Sequence, residues 1–125
     1  MLFDSDVLIW VLRDHVAAEQ FVADGDTRSL SIITYMELVQ GARDRQDLHR
    51  VKSMLHDFGF EMIPLSEAIG HRASIYLEEH TLSSGLEMAD ALVAATAVER
   101  NLRLGTANLK HYRPIKDLEI RPFRP

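Results

Sequence analysis

Short apolar segments alternate along this chain with longer stretches of helical periodicity, and that order admits few folds. Met1 to Phe3 reads as a buried strand that ends at the polar triplet Asp4-Ser5-Asp6, with a helix behind it through Val7 to Leu12. His15 to Ala23 spaces Val16, Phe21 and Val22 as an amphipathic helix, Asp24-Gly25-Asp26 stops it, and Leu30 to Ile33 reads as a second strand. A helix follows from Thr34 that Gly41 interrupts, and another runs from Asp47 to Phe58 with Leu48, Val51 and Leu55 at helical spacing, closed by Gly59. Glu61 to Leu65 is a third strand, and Ser66 opens a helix to about His80, before a loop marked by Ser83-Ser84-Gly85. Glu87 to Arg100 is the clearest helix. A strand at Leu102 to Gly105, a loop from Thr106 to Pro114 and an edge strand at Leu118 to Ile120 complete the pattern. Strands separated by helices predict a parallel sheet in an α/β sandwich, with ligands beyond the carboxyl ends of the strands.

At 125 residues, 46% of them apolar, the pattern predicts one domain spanning residues 1–125. The absence of cysteine excludes disulfide scaffolds, thiolate metal sites and cysteine nucleophiles. Apolar runs such as Val7 to Leu12 fall short of a membrane span, and no basic segment leads into an apolar one at the start, so the cytoplasm is the expected location. Fourteen Lys plus Arg against 19 Asp plus Glu give a net charge of −5, which argues against a surface that grips nucleic acid indiscriminately. It does not exclude a metal-dependent nuclease, whose own carboxylates gather in one pocket where cations offset them.

Four places carry candidate chemistry, each with a plainer reading beside it. Asp4 and Asp6 end the first strand; two residues apart in β conformation they face one side, an arrangement that favours a cation, although either acid also fits a cap for the helix near Val7. Glu37 lies three residues after Thr34, and by spacing alone the Thr-x-x-Glu pattern reads as a capping box. Asp90 shares a helix face with Ala94 and Ala97, small residues that permit close packing, while a first-turn acid also stabilises a helix start. Thr106 to Asn108 follow the fourth strand, where a hydroxyl and an amide serve either a phosphate or a turn; Lys110, His111 and Arg113 next to them read most simply as a solvated loop.

Taken together these segments resemble a family. Leu2-Phe3-Asp4-Ser5-Asp6-Val7-Leu8-Ile9-Trp10, Ser31 to Leu38 with Gly41-Ala42, and Ala89 to Ala97 are similar to the three acidic signatures of PIN-domain ribonucleases, and Thr106-Ala107-Asn108-Leu109-Lys110-His111-Tyr112 is similar to their fourth. Their order, spacing and total length resemble the VapC-type toxins of toxin–antitoxin modules over nearly the whole chain. The resemblance implies a PIN-like three-layer α/β/α sandwich around a short central parallel sheet, with Asp4, Glu37 and Asp90 converging on Mg²⁺ or Mn²⁺ and Asn108 completing the catalytic set. It also implies an RNA substrate, a VapB-like antitoxin as partner, and a homodimer. Asp6 stands where the family usually carries Asn, and Asn108 where many members carry a fourth acid.

The chemistry of the residue types agrees. Mg²⁺ and Mn²⁺ take oxygen ligands and leave positions for water and a phosphate oxygen, and hydrolysis by water needs no covalent nucleophile, which suits a chain with neither Cys nor a Ser-His-Asp arrangement. Two other readings stay open at this level. Asp4-Ser5-Asp6 also resembles the Asp-x-Asp pair of haloacid-dehalogenase-type phosphatases, though Leu8 stands where Thr or Val is expected and no paired acids follow a later strand. A non-catalytic interaction module would make Asp6, Glu37 and Asp90 three independent helix-start acids. Arg43, Arg45, Arg50 and Lys52 cluster, but Asp44 and Asp47 among them favour a salt-bridged solvent face over an RNA groove.

Overall fold

A computed structural model describes residues Met1–Pro125. Five short strands, β1 (Leu2–Phe3), β2 (Ser29–Ser31), β3 (Glu61–Ile63), β4 (Leu104–Thr106) and β5 (Ile120–Pro122), form one parallel sheet in the order β3-β2-β1-β4-β5. Seven helices surround it: α1 (Ser5–Leu12), α2 (Val16–Ala23), α3 (Ile32–Gln40), α4 (Arg45–Asp57), α5 (Glu67–Ser84), α6 (Met88–Glu99) and α7 (Leu109–Tyr112). The three-layer α/β/α sandwich follows from residues that alternate at a period of two. Leu2 points into a core built with Ile69, Ala73 and Tyr76 of α5 and Ala91, Ala94 and Ala95 of α6. Met1 and Phe3 point the other way, into a core with Val7, Leu8 and Val11 of α1, Ala18 and Val22 of α2, and Met54 and Leu55 of α4. A strand buried on both faces needs apolar residues at every position, which is why β1 carries no polar one.

Cross-strand pairing demands a glycine opposite Phe3. Gly105 is its register partner, and a Cβ there would lie 2.9 Å from Phe21, closer than real contacts allow, and a tight 3.1 Å from Phe3. The missing side chain admits the edge-to-face packing of Phe3 on Phe21, with ring centres 5.9 Å apart.

Several boundaries differ from the sequence reading. The second strand ends at Ser31, and α3 begins at the next residue without a loop; the Ser31 hydroxyl accepts from the Ile33 N–H at 3.1 Å and so serves as the cap. Thr34 is therefore inside α3, fully buried, with its hydroxyl unpartnered, and the Thr-x-x-Glu capping box does not form. The first helix starts at Ser5, not Val7, and its cap is Asp4. Helix α5 continues through Ser83 and Ser84, because the Ser84 hydroxyl donates back to the His80 carbonyl and the left-handed turn comes only at Gly85 (φ 72°). Strands β4 and β5 lie about two residues further along than their apolar runs. The loop after β4 contains α7.

The sheet order places the site. Chain growth runs outward from β1 to β2 and β3, then returns to the other side of β1 for β4 and β5, so the direction reverses between β1 and β4. Beyond the carboxyl ends of two such strands the connecting segments diverge and leave a crevice. Asp4 follows β1 directly, and Thr106 is the last residue of β4.

Candidate active site

Asp4 sits at the floor of this crevice, 6% exposed. Its backbone N–H donates to the Gly105 carbonyl at 2.9 Å, which fixes it against β4. One carboxylate oxygen accepts from the Ser5 N–H and the other from the Thr106 hydroxyl, both at 2.9 Å. Burial, with Asp6 beside it, still holds its carboxyl up at about 7 despite those donors. Asp6 turns toward the same hydroxyl, at 3.4 Å, and accepts from the Val7 N–H at 2.7 Å and from the Ala107 N–H at 3.0 Å. Its carboxyl is also raised, chiefly by burial. The two acids do meet, but through a strand-to-helix turn and a shared threonine, not along one face of a strand.

Glu37 stands in the second turn of α3, exposed at the lip of the crevice. Partial loss of water there, then the charge of Asp90, push its carboxyl up. With the capping box absent, no helix-start role accounts for this acid. Asp90 lies in the first turn of α6, and its partners come from α7 instead of from its own helix: Oδ2 is 3.0 Å from His111 Nδ1, and Oδ1 accepts from the Tyr112 hydroxyl at 3.3 Å. Tyr112 is fully buried and faces Asp4 as well; burial and the flanking acids keep its phenol protonated. The Asn108 amide contacts His111 Nδ1 at 3.2 Å, one step behind the acids, and its N–H donates to Thr106 Oγ1 at 3.0 Å. A carboxylate only accepts, so Nδ1 must carry the proton it shares with Asp90. The Asn108 amide nitrogen is the group set against Nδ1, and turning that amide over would bring its oxygen there to accept.

The crevice thus brings Asp4, Asp6, Glu37 and Asp90 around one opening, with Asn108 at its rim. No lysine or arginine forms an ion pair with any of the four; the nearest candidate cation is His111. No three histidine or acidic side chains already stand as a closed ligand set. The donors are nevertheless all oxygens, and carboxylates raised by burial and mutual repulsion are groups that a hard divalent cation relieves, so the donor set fits Mg²⁺ or Mn²⁺. A phosphatase-type nucleophile is poorly served, because Asp4 is buried at the crevice floor and no paired acids follow a later strand. The sequence named Thr106 only as a possible phosphate or water contact and read His111 as solvated. Only contacts across the sheet edge show that one bridges two acids and the other holds a third.

Next to Glu37 a groove runs between α1 and the α3–α4 segment, lined by Ile9, Leu12, Arg13, Glu37, Arg43 and Arg50. Arg43 pairs with Asp47 at 3.1 Å, and Arg50 reaches the Leu12 carbonyl, so the basic residues are partly salt-bridged, as the interleaved acids predict.

A family model of the PIN domain matches residues 1–115. Ribonuclease VapC10 of Mycobacterium tuberculosis is 32% identical over 126 residues, spanning 95% of this chain and 90% of the relative. Among solved structures, a toxin–antitoxin complex from Klebsiella pneumoniae superposes with a TM-score of 0.79 at 28% identity, covering 99% of this chain and 98% of that one. VapBC2 from Rickettsia felis, bound to a DNA fragment from its promoter, gives 0.81 at 19% identity over 98% of each chain. No helix is long and apolar enough to cross a membrane.

Proposed function

Since the chain belongs to the PIN domain family, we propose that it is a VapC-like ribonuclease toxin, hydrolysing phosphodiester bonds of structured RNA and held in check by a cognate antitoxin. The observation that carries this reading is the set of four carboxylates around the β1–β4 crevice with no lysine or arginine to neutralise them. Asp4, Glu37 and Asp90 would hold Mg²⁺ or Mn²⁺. Such an ion, when bound, polarises the phosphate and lowers the pKa of a bound water. Within the chain, Asp4 is the fixed anchor, since its oxygens are set by Ser5 and Thr106. Glu37, exposed at the lip with its carboxyl pushed up by partial burial and by Asp90, is the acid placed to take a proton from attacking water. Asn108 at the rim is the group to orient a substrate phosphate, and Arg13 lines the groove that opens beside Glu37.

The same four acids suit the partner. An arginine of an antitoxin segment satisfies a carboxylate in a bidentate way and takes the cation's place. The family likeness also supports a homodimer. Incubating the purified chain with total RNA, with and without Mg²⁺ or Mn²⁺, tests the reading, and sequencing the new ends names the substrate. Cleavage surviving exhaustive chelation would overturn the metal assignment. Harmless expression of the chain alone, with nothing copurifying, would overturn the toxin assignment.

A further inference from the structure

We propose that His111 and Tyr112, neighbours on the short helix α7, are positioning residues that hold the Asp90 carboxylate aimed at Asp4, and that cation affinity at the crevice depends on them. The inference rests on the reading of the crevice as a divalent-cation site. It starts from what Asp90 lacks. In the first turn of α6, where a carboxylate ordinarily turns back to cap its own helix, Asp90 accepts nothing from it, and Glu87 at the cap position makes no side-chain bond either. Nothing in α6 fixes the Asp90 side chain.

Helix α7 supplies the missing restraint, one donor for each oxygen: His111 Nδ1 on Oδ2 and the Tyr112 hydroxyl on Oδ1. A carboxylate has about four lone-pair sites, so one donor per oxygen leaves one site on each for a cation. Tyr112 is buried and packed in the core with Ala91 and Ala94, which ties its hydroxyl to the α6 face that presents Asp90. Its hydroxyl bonds Asp90 directly, so a rigid buried phenol fixes one oxygen of that carboxylate. His111 is in turn held by Asn108, whose own N–H is bonded to Thr106, the residue that anchors Asp4. The segment Thr106 to Tyr112 is therefore one continuous brace that touches both acids. Partners of this kind behind a metal ligand typically contribute tenfold to a hundredfold in affinity.

The test uses the purified full chain, stripped with chelator, titrated calorimetrically with Mn²⁺. The amide nitrogen of Asn stands as many bonds from the backbone as Nδ1, so His111→Asn keeps a donor where His111→Leu removes it. Outer-shell behaviour predicts that His111→Leu and Tyr112→Phe weaken Mn²⁺ binding roughly tenfold to a hundredfold, with His111→Asn within about threefold of wild type. In RNA cleavage, kcat should fall while KM for RNA holds, and melting of the metal-free variants should stay close to wild type. Unchanged Mn²⁺ affinity in His111→Leu would overturn the proposal, as would equal losses in the Leu and Asn variants accompanied by parallel drops in melting temperature. Crystals of the metal-free variants separate this from failure of the cation site itself. If wild type binds no Mn²⁺, a rotated Asp90 in His111→Leu still supports the brace, and an unmoved Asp90 refutes it.

Discussion

Replacing Asp4 by Asn should make the metal-free protein more stable, although it removes a buried hydrogen-bonded group. Asn caps a helix as well as Asp does, and its amide can still accept from the Ser5 N–H, so the exchange isolates the charge. The fold holds the Asp4 carboxyl at about 7, against about 3.9 in an unfolded chain. Between those values the folded chain keeps a proton that the unfolded chain has lost, and stability falls as pH rises through that window. Three pH units correspond to about 4 kcal/mol lost by pH 8, an upper limit because the crevice can admit water. At roughly 4 °C per kcal/mol for a domain of this size, D4N should melt several degrees and at most about 15 °C above wild type at pH 8 in chelator. Near pH 4, where Asp4 is protonated in the fold and about half so in the unfolded chain, the gap should shrink below about 1 kcal/mol. Excess Mn²⁺ at pH 8 should narrow the gap, since a hundredfold excess over Kd adds about 2.7 kcal/mol to the wild type alone, and should reverse the ranking wherever the metal-free gap is smaller than that. Thermal melts at the two pH values, with chelator and with Mn²⁺, read all of this. A variant that melts at or below wild type at pH 8 in chelator, or a gap independent of pH, would refute the reasoning.

Glu37→Gln should leave metal-free melting within about 1 kcal/mol of wild type, because the side chain is exposed, while RNA cleavage falls about a hundredfold or more in an initial-rate assay. Thr106→Val removes the hydroxyl shared by Asp4 and Asp6; the Asp4 carboxyl should rise further, moving the acidic limb of the pH–rate profile for cleavage upward. Gly105→Ala should destabilise the chain by about 1–3 kcal/mol in urea unfolding at any pH, since a methyl there meets Phe21 and Phe3.

The alternation of strands and helices was legible because apolar periodicity is written locally, and the acids at strand ends were legible because buried strands rarely end in them. The edges of β4 and β5 were not. Leu102 is apolar but pairing with β1 begins at Arg103, whose carbonyl accepts from the Leu2 N–H, and β5 is recruited from Glu119 onward by Leu104. Those limits belong to the partner strand. Thr34 and Glu37 imitate a capping box, yet Ser31, already positioned by the sheet, captures the helix start three residues earlier. Helix α7 is a single turn with too few residues to show a period, so His111 looked solvated although the turn aims it at Asp90. Asp4 and Asp90 were recognisable as acids of interest. Their unequal settings, one buried and raised, the other braced by donors, are tertiary facts.

The hydrogen bond from Thr106 to Asp4 spans 102 residues of sequence, and this imposes an order in time. At about 5–20 residues per second, a ribosome that has made Asp4 needs on the order of 5–20 s more before Thr106 is synthesised. Until then β1 has only β2 beside it, with β3 beyond, Asp4 has no hydroxyl to anchor it, and neither α7 nor its brace on Asp90 exists. A nascent chain, or one cut short before β4, therefore carries all four acids and a partial sheet but no assembled crevice. Chemistry in this fold begins only once β4, the strand that closes the site, has been made and takes its place beside β1.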